Sequence, residues 1–172
     1  EANGIVRPLL CVGREDIEAW CRENRFEWRE DASNADTSIP RNWVRCDLIP
    51  LLKARLNPSL TDALCRTAEL LREDGRYLNG LARKALARAS VRPDGCASVP
   101  VEDVAGLPWA VQSRSLRLLA GQAGLTADVE LVNIRDIAGL LEPGKTGCRV
   151  DLGGGAVAFR EANALVVTRG LP

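Results

Sequence analysis

At 172 residues, with 46% apolar and 27% charged side chains, the chain has ordinary globular composition and length enough for one domain or two small ones. It contains no histidine, which excludes a Ser/His or Cys/His dyad, an imidazole general base and a histidine-bearing zinc site. No apolar run approaches membrane-spanning length and Glu1-Ala2-Asn3-Gly4 has none of the features of a signal peptide, so the expectation is a soluble, cytoplasmic chain without membrane association.

The 23 basic and 23 acidic residues cancel, but they are not evenly spread. Residues 1–37 hold 5 basic and 9 acidic side chains, residues 38–93 hold 11 and 5, and residues 94–172 hold 7 and 9. Of the basic residues only Lys53, Lys84 and Lys145 are lysines; the guanidinium fork of arginine is the better match to phosphate. A GC-rich coding sequence produces the same bias, so the clustering carries more than the count. The six cysteines, Cys11, Cys21, Cys46, Cys65, Cys96 and Cys148, form no Cys-x-x-Cys pair and read as reduced structural thiols. The chain has no methionine, even at position 1, so it is expected to be a piece of something longer.

In chain order, residues 4–12 form a short apolar run broken by Pro8, which predicts an extended segment. Ile17, Trp20 and Cys21 share one face over 14–24, with carboxylates in the first turn, as in a helix. An acidic, turn-rich loop follows. Asp31, Ser33, Asn34 and Asp36 have side chains that bond nearby backbone, so Asp31 and Asn34 are expected to order it. After Ile39-Pro40, the arginines Arg41 and Arg45 stand four apart on one predicted helical face, with Asn42 between them. Their forks would grip either the loop's carboxylates or a phosphate from outside. Pro50 should kink or restart that helix.

Ser59 is a good N-cap, with Asp62 in the place of a capping-box glutamate. Leu60 to Ala89 is the strongest helical pattern, its apolar stripe running through Leu64, Ala68, Leu71, Leu78, Leu81 and Ala85. Arg72, Arg76 and Arg83 fall in a narrow angular sector of it, with Lys84 and Arg88 adjacent. A solvated charged face accounts for this arrangement; a stripe facing nucleic acid does so too. Arg92-Pro93-Asp94-Gly95 is a turn. Ser98 to Val101 predicts a short edge strand, Pro108 to Ala123 and Val129 to Leu141 predict helices, and the glycine-punctuated end predicts three short antiparallel strands. The fold class is therefore mainly α with a small terminal antiparallel β-hairpin sheet (α+β).

Two motif matches fail on context or spelling. Gly139-Leu140-Leu141-Glu142-Pro143-Gly144-Lys145-Thr146 fits the phosphate-binding G-x-x-x-x-G-K-[ST] pattern, but a helical stripe precedes it and a strand pattern follows, the reverse of what that loop needs. A helix-to-strand turn is the better reading. The loop from Asp31 to Asp36 lacks the glycine of a calcium loop; Glu30, Asp31 and Asp36 could hold magnesium, though three loop carboxylates are more often solvated, and no metal site is assigned.

Four ordered pieces resemble the tRNA(Ile)-lysidine synthetase family: Ile5-Val6-Arg7-Pro8-Leu9-Leu10; Arg14-Glu15-Asp16-Ile17; Trp28-x-Glu30-Asp31-x-Ser33-Asn34-x-Asp36; and Arg41-Asn42-x-x-Arg45-x-x-Leu48-Ile49-Pro50-x-Leu52. The resemblance is close over 4–52 and looser beyond, where a long helix, a Leu107-Pro108-initiated helix and a glycine-rich hairpin follow in the family's order. It implies that residues 1–55 are the C-terminal tail of a catalytic domain and its connector, and 56–172 a helical tRNA-recognition domain. The parent enzyme would use ATP and magnesium to activate the C2 oxygen of an anticodon cytidine, which the ε-amine of free lysine then attacks. The family's Ser-Gly-Gly-x-Asp-Ser ATP loop does not occur in these residues. The resemblance thus implies a piece inactive alone, with no catalytic residue or cofactor of its own, tRNA as partner, and lysine and ATP engaged through the absent domain. Homodimerisation is left open. Arg41, Asn42 and Arg45 would sit by the active-site mouth; many members carry histidine where this chain has Cys46, so an imidazole role there is lost. A P-loop nucleotide-binding protein and a non-catalytic helical interaction module are the rival readings.

Overall fold

Leu165, Val166, Val167 and Thr168 are all buried, and they form the spine of the C-terminal part of the chain. The computed structural model describes residues 6, 8–29, 31–125 and 129–170, which form two units, 1–63 and 64–172.

In the second unit five strands make one antiparallel sheet in the order β1-β2-β5-β4-β3. They are β1 (Ser90–Val91), β2 (Ala97–Pro100), β3 (Arg149–Gly153), β4 (Ala156–Arg160) and β5 (Ala164–Arg169). The central β5 pairs Val167 with Ala97 on one side and with Ala158 on the other. Helices α6 (Trp109–Gln122) and α7 (Leu131–Gly139) pack on it through Leu116, Leu119, Ile134 and Ile137, all fully buried. The short helix α5 (Val101–Val104) adds Val104 to the same core.

The α+β class is the one the sequence predicts, with a sheet larger than expected. The predicted edge strand at 98–101 is not at an edge: β2 lies between β5 and the two-residue β1. Pro100 is tolerated because it is the last residue of β2, after which Val101 N donates to Asn163 O at 2.9 Å. Gly153, Gly154 and Gly155 all take positive φ, which a tight β3–β4 hairpin turn requires and a side chain resists. Arg160 Nη1 donates to Leu140 O (3.1 Å) and Glu142 O (2.7 Å), holding the end of α7 against β4.

Helix α4 (Leu60–Ala85) begins just after Ser59, whose carbonyl accepts Ala63 N at 3.0 Å. At 26 residues it is about 39 Å long. No residue of its predicted apolar stripe is fully buried; the side chains that enter the core at its C-terminal end are instead Ala82 and, in the following turn, Leu86, each one position on from the predicted Leu81 and Ala85. Leu64, Leu70, Leu71 and Tyr77 are each more than half exposed.

The first unit holds α1 (Arg14–Glu23), α2 (Pro40–Trp43), a π-helical turn Val44–Leu48 and α3 (Ile49–Arg55). Arg14 pairs with Glu18 at 2.5 Å, and Trp20 stacks on Phe26 with ring centres 5.5 Å apart. The segment predicted as extended over 4–12 contains instead a 3₁₀ turn at Pro8–Cys11, where Pro8 begins the turn; residues 4, 5 and 7 lie outside the described residues. Among the described residues of this unit only Asn42 is buried. No helix among the described residues is long and apolar enough to cross a membrane.

Two substitutions separate the buried from the uncovered apolar residues. Ile137→Ala should lower unfolding stability by about 2–5 kcal/mol, whereas Leu71→Ala, 64% exposed, should change it by less than about 0.5 kcal/mol. Urea denaturation followed by circular dichroism reads both; a large loss at Leu71 would mean that its stripe is covered.

Candidate phosphate-contact sites

In the first unit the acidic loop and the residues after Pro40 form a hydrogen-bonded clasp. Asp31 caps a 3₁₀ turn (Ala32–Ala35) by accepting Ser33 N at 2.9 Å, and Asp36 accepts Ser38 N at 2.9 Å. The Asn42 amide donates to Ser33 O (2.8 Å) and Asp36 O (3.0 Å) from a position only 8% exposed. Arg45 Nη2 donates to Asn34 O at 2.9 Å. Asp31 therefore orders the loop through its carboxylate, while Asn34 does so through its main-chain carbonyl. The grip of Arg45 is on a carbonyl rather than on a loop carboxylate. Arg41 is exposed and has no bonding partner among the described residues.

The two arginines lie in different local structure, Arg41 in α2 and Arg45 in the π turn that follows. Pro50 has no N–H, and its ring crowds the preceding turn. The helix widens just before it, with Ile49 N bonded to Val44 O, five residues back. Arg45 lies inside that wide turn and folds back over the loop, whereas Arg41 stays on α2.

The carboxyls of Asp31 and Asp36 are held below the usual aspartate range, the first by the Ser33 amide and then its hydroxyl, the second by the Ser38 hydroxyl and then its amide.

In the second unit Arg72, Arg76 and Arg83 lie on α4 within about 40° of arc at 100° per residue. All three are exposed, and no carboxylate pairs with them among the described residues. Arg88, expected beside them, is taken out of the stripe. Its guanidinium donates to Asp103 (Nε to Oδ2, 2.8 Å) and to Glu102 (2.6 Å), and these bonds, Asp103's foremost, push its pKa further up. Sequence reading missed Arg117. On α6, it reaches Val129 O at 2.9 Å and shares an open cleft with Arg83; nothing in the local sequence pairs two arginines 34 positions apart.

The nucleotide-loop lookalike is a turn. Gly139 ends α7, Cys148 N donates to Lys145 O at 3.0 Å, Gly144 and Gly147 take positive φ, and β3 starts at Arg149. Helix precedes and strand follows, so no helix N-terminus points at a phosphate here.

Residues 1–52 match the PP-loop domain family. Beyond that match, along most of its length the chain is similar to tRNA(Ile)-lysidine synthases. It is 38% identical to that of Thermus thermophilus over 169 residues, which is 96% of this chain and 31% of that protein. It is 40% identical to that of Solibacter usitatus over 116 residues (67% and 26%) and 31% identical to that of Geobacillus kaustophilus over 166 residues (95% and 36%). The chain spans between a quarter and about a third of the length of these relatives.

Asn42→Ala strips the amide from two carbonyls and should cost the clasp about 1–3 kcal/mol, seen as faster hydrogen exchange at the Ser33 and Ser38 amides. Because Asp31 and Asp36 bind protons more weakly in the clasp than in an unfolded chain, their stabilisation is complete above about pH 4 and is lost as the pH falls through their depressed values. Amide protection, taken relative to the intrinsic exchange rate at each pH, that falls on acidification below about pH 4 and holds steady between pH 5 and 8 is the expected result.

Proposed function

We propose that this chain is the tRNA-recognition part of a tRNA(Ile)-lysidine synthase, with residues 1–55 the tail of the catalytic domain and 56–172 the recognition domain. The observation that carries this reading is similarity to lysidine synthases that continues through both units, over 96% of the chain for the Thermus protein. In it the parent enzyme uses ATP with magnesium to activate an anticodon cytidine, and lysine displaces the adenylate. The chain itself is inactive alone, since its sequence holds no Ser-Gly-Gly-x-Asp-Ser loop.

Unpaired, exposed guanidinium groups suit tRNA phosphates. Arg72, Arg76 and Arg83 supply a row of them, and each phosphate neutralised releases counterions. In the first unit Arg41 is the group free to meet a phosphate of nucleotide or tRNA, while Asn42 and Arg45 hold the backbone that presents it. A π turn beside such a group agrees with a functional position, where these distortions are frequent.

Gel-shift titration of the chain against tRNA tests this. With three phosphate contacts the affinity should fall about 40-fold between 50 and 200 mM salt, and each of Arg72→Ala, Arg76→Ala and Arg83→Ala should reduce the logarithmic salt slope by about one. A helical interaction module without a nucleic-acid partner would show no shift and three silent variants.

A further inference from the structure

We propose that the cleft between the end of α4 and α6 holds one unstacked nucleotide of a single-stranded RNA segment, a role that rests on the tRNA-binding reading and locates it. The cleft has a volume of about 580 Å³, within the range of about 300 to 1,000 Å³ common to small-molecule sites. Arg83 and Arg117 stand on its walls, Leu86, Leu118 and Leu125 line it with apolar surface, and Gln122 adds an amide. Among the described residues no carboxylate lines it; Asp128, between the lining residues Leu125 and Val129, lies outside them.

Each lining group answers to a part of a nucleotide. Two guanidinium groups on facing walls favour a phosphate. Arg117 is fixed at one end by its bond to Val129 O, so part of its fork is oriented in advance and less side-chain freedom is lost on binding. Apolar walls favour a planar ring, and a guanidinium plane is itself a surface on which bases stack. The amide of Gln122 offers both a donor and an acceptor to a base edge.

The position of Arg83 decides for an RNA strand over a free nucleotide. It belongs both to the cleft and to the row formed with Arg72 and Arg76, which covers about 16 Å of helix axis. A backbone laid along that row ends at the cleft mouth, where one base can turn in.

Gly121 gives a clean test. It lines the cleft, and a Cβ built there meets nothing within 4 Å. Gly121→Leu therefore fills the space, keeps both arginines, and replaces a weak helix former with a strong one. Filter binding of the full chain would use a single-stranded RNA heptamer and a fully paired RNA hairpin, with thermal melting as the check on folding. Gly121→Leu should weaken the heptamer at least about five-fold, the lower end of what stacking one base contributes, leave the hairpin unchanged and leave the melting temperature no lower than that of the wild type. Gln122→Ala, with no volume added, should weaken the heptamer alone. Equal heptamer binding by wild type and Gly121→Leu would overturn the cleft and leave the tRNA reading intact; binding of neither RNA by wild type would overturn both. AMP binding as tightly as the heptamer, followed through the Gly121 and Gln122 amide resonances, would assign the cleft to a free nucleotide and overturn the RNA role.

Discussion

Ala82 and Leu86, buried at 0% and 7% exposure, anchor the C-terminal end of the long helix in the core of the sheet unit. Most of a helix's stability in a protein comes from such packing rather than from propensity, and these two side chains supply it at this end. With them, one end is held by packing and the charged sector keeps a defined direction. The sheet supplies what they pack into: β5 is buried on both faces, and β2 and β4 hydrogen-bond to its two edges. A charged surface is thus positioned by apolar contacts at one end of the helix. The ion pairs of Arg88 with Glu102 and Asp103 are exposed and add little beyond orientation.

Much of this was legible in the sequence. The long helix followed from apolar residues at three- and four-residue steps, and the terminal hairpins from period-two alternation around glycines. The hydrogen bond of the Asp31 carboxylate to the Ser33 amide is of the short-range kind that its position in the loop suggests. What was not legible depends on distant partners. That β2 is an interior strand depends on β1, a two-residue strand too short to announce itself. That the leucine stripe is uncovered at Leu64 and Leu71 depends on which neighbours exist, and periodicity reports only which residues face together. Arg117 meets Arg83 through the packing of two helices, which local spacing does not encode.

The clasp shows the same limit at shorter range. A spacing of four promised Arg41 and Arg45 a common face, and regular helix geometry would have given it. Pro50, in plain view, changed that geometry by widening the turn before it, so that Arg45 serves the loop and Arg41 is left exposed. Asn42, placed with the two arginines by the resemblance, is the buried residue of the clasp, its amide donating to two carbonyls. The lookalike at Gly139 to Thr146 teaches the converse: eight matching letters mean little when helix and strand stand in the wrong order around them.

The exposed Leu64, Leu70, Leu71 and Tyr77 have a colloidal consequence. Molecules that expose oily surface usually stay dispersed because their net charges repel, and this chain has a formal net charge of zero at neutral pH. Mutual repulsion is therefore weakest where most buffers are set, and moving the pH away from neutrality restores it.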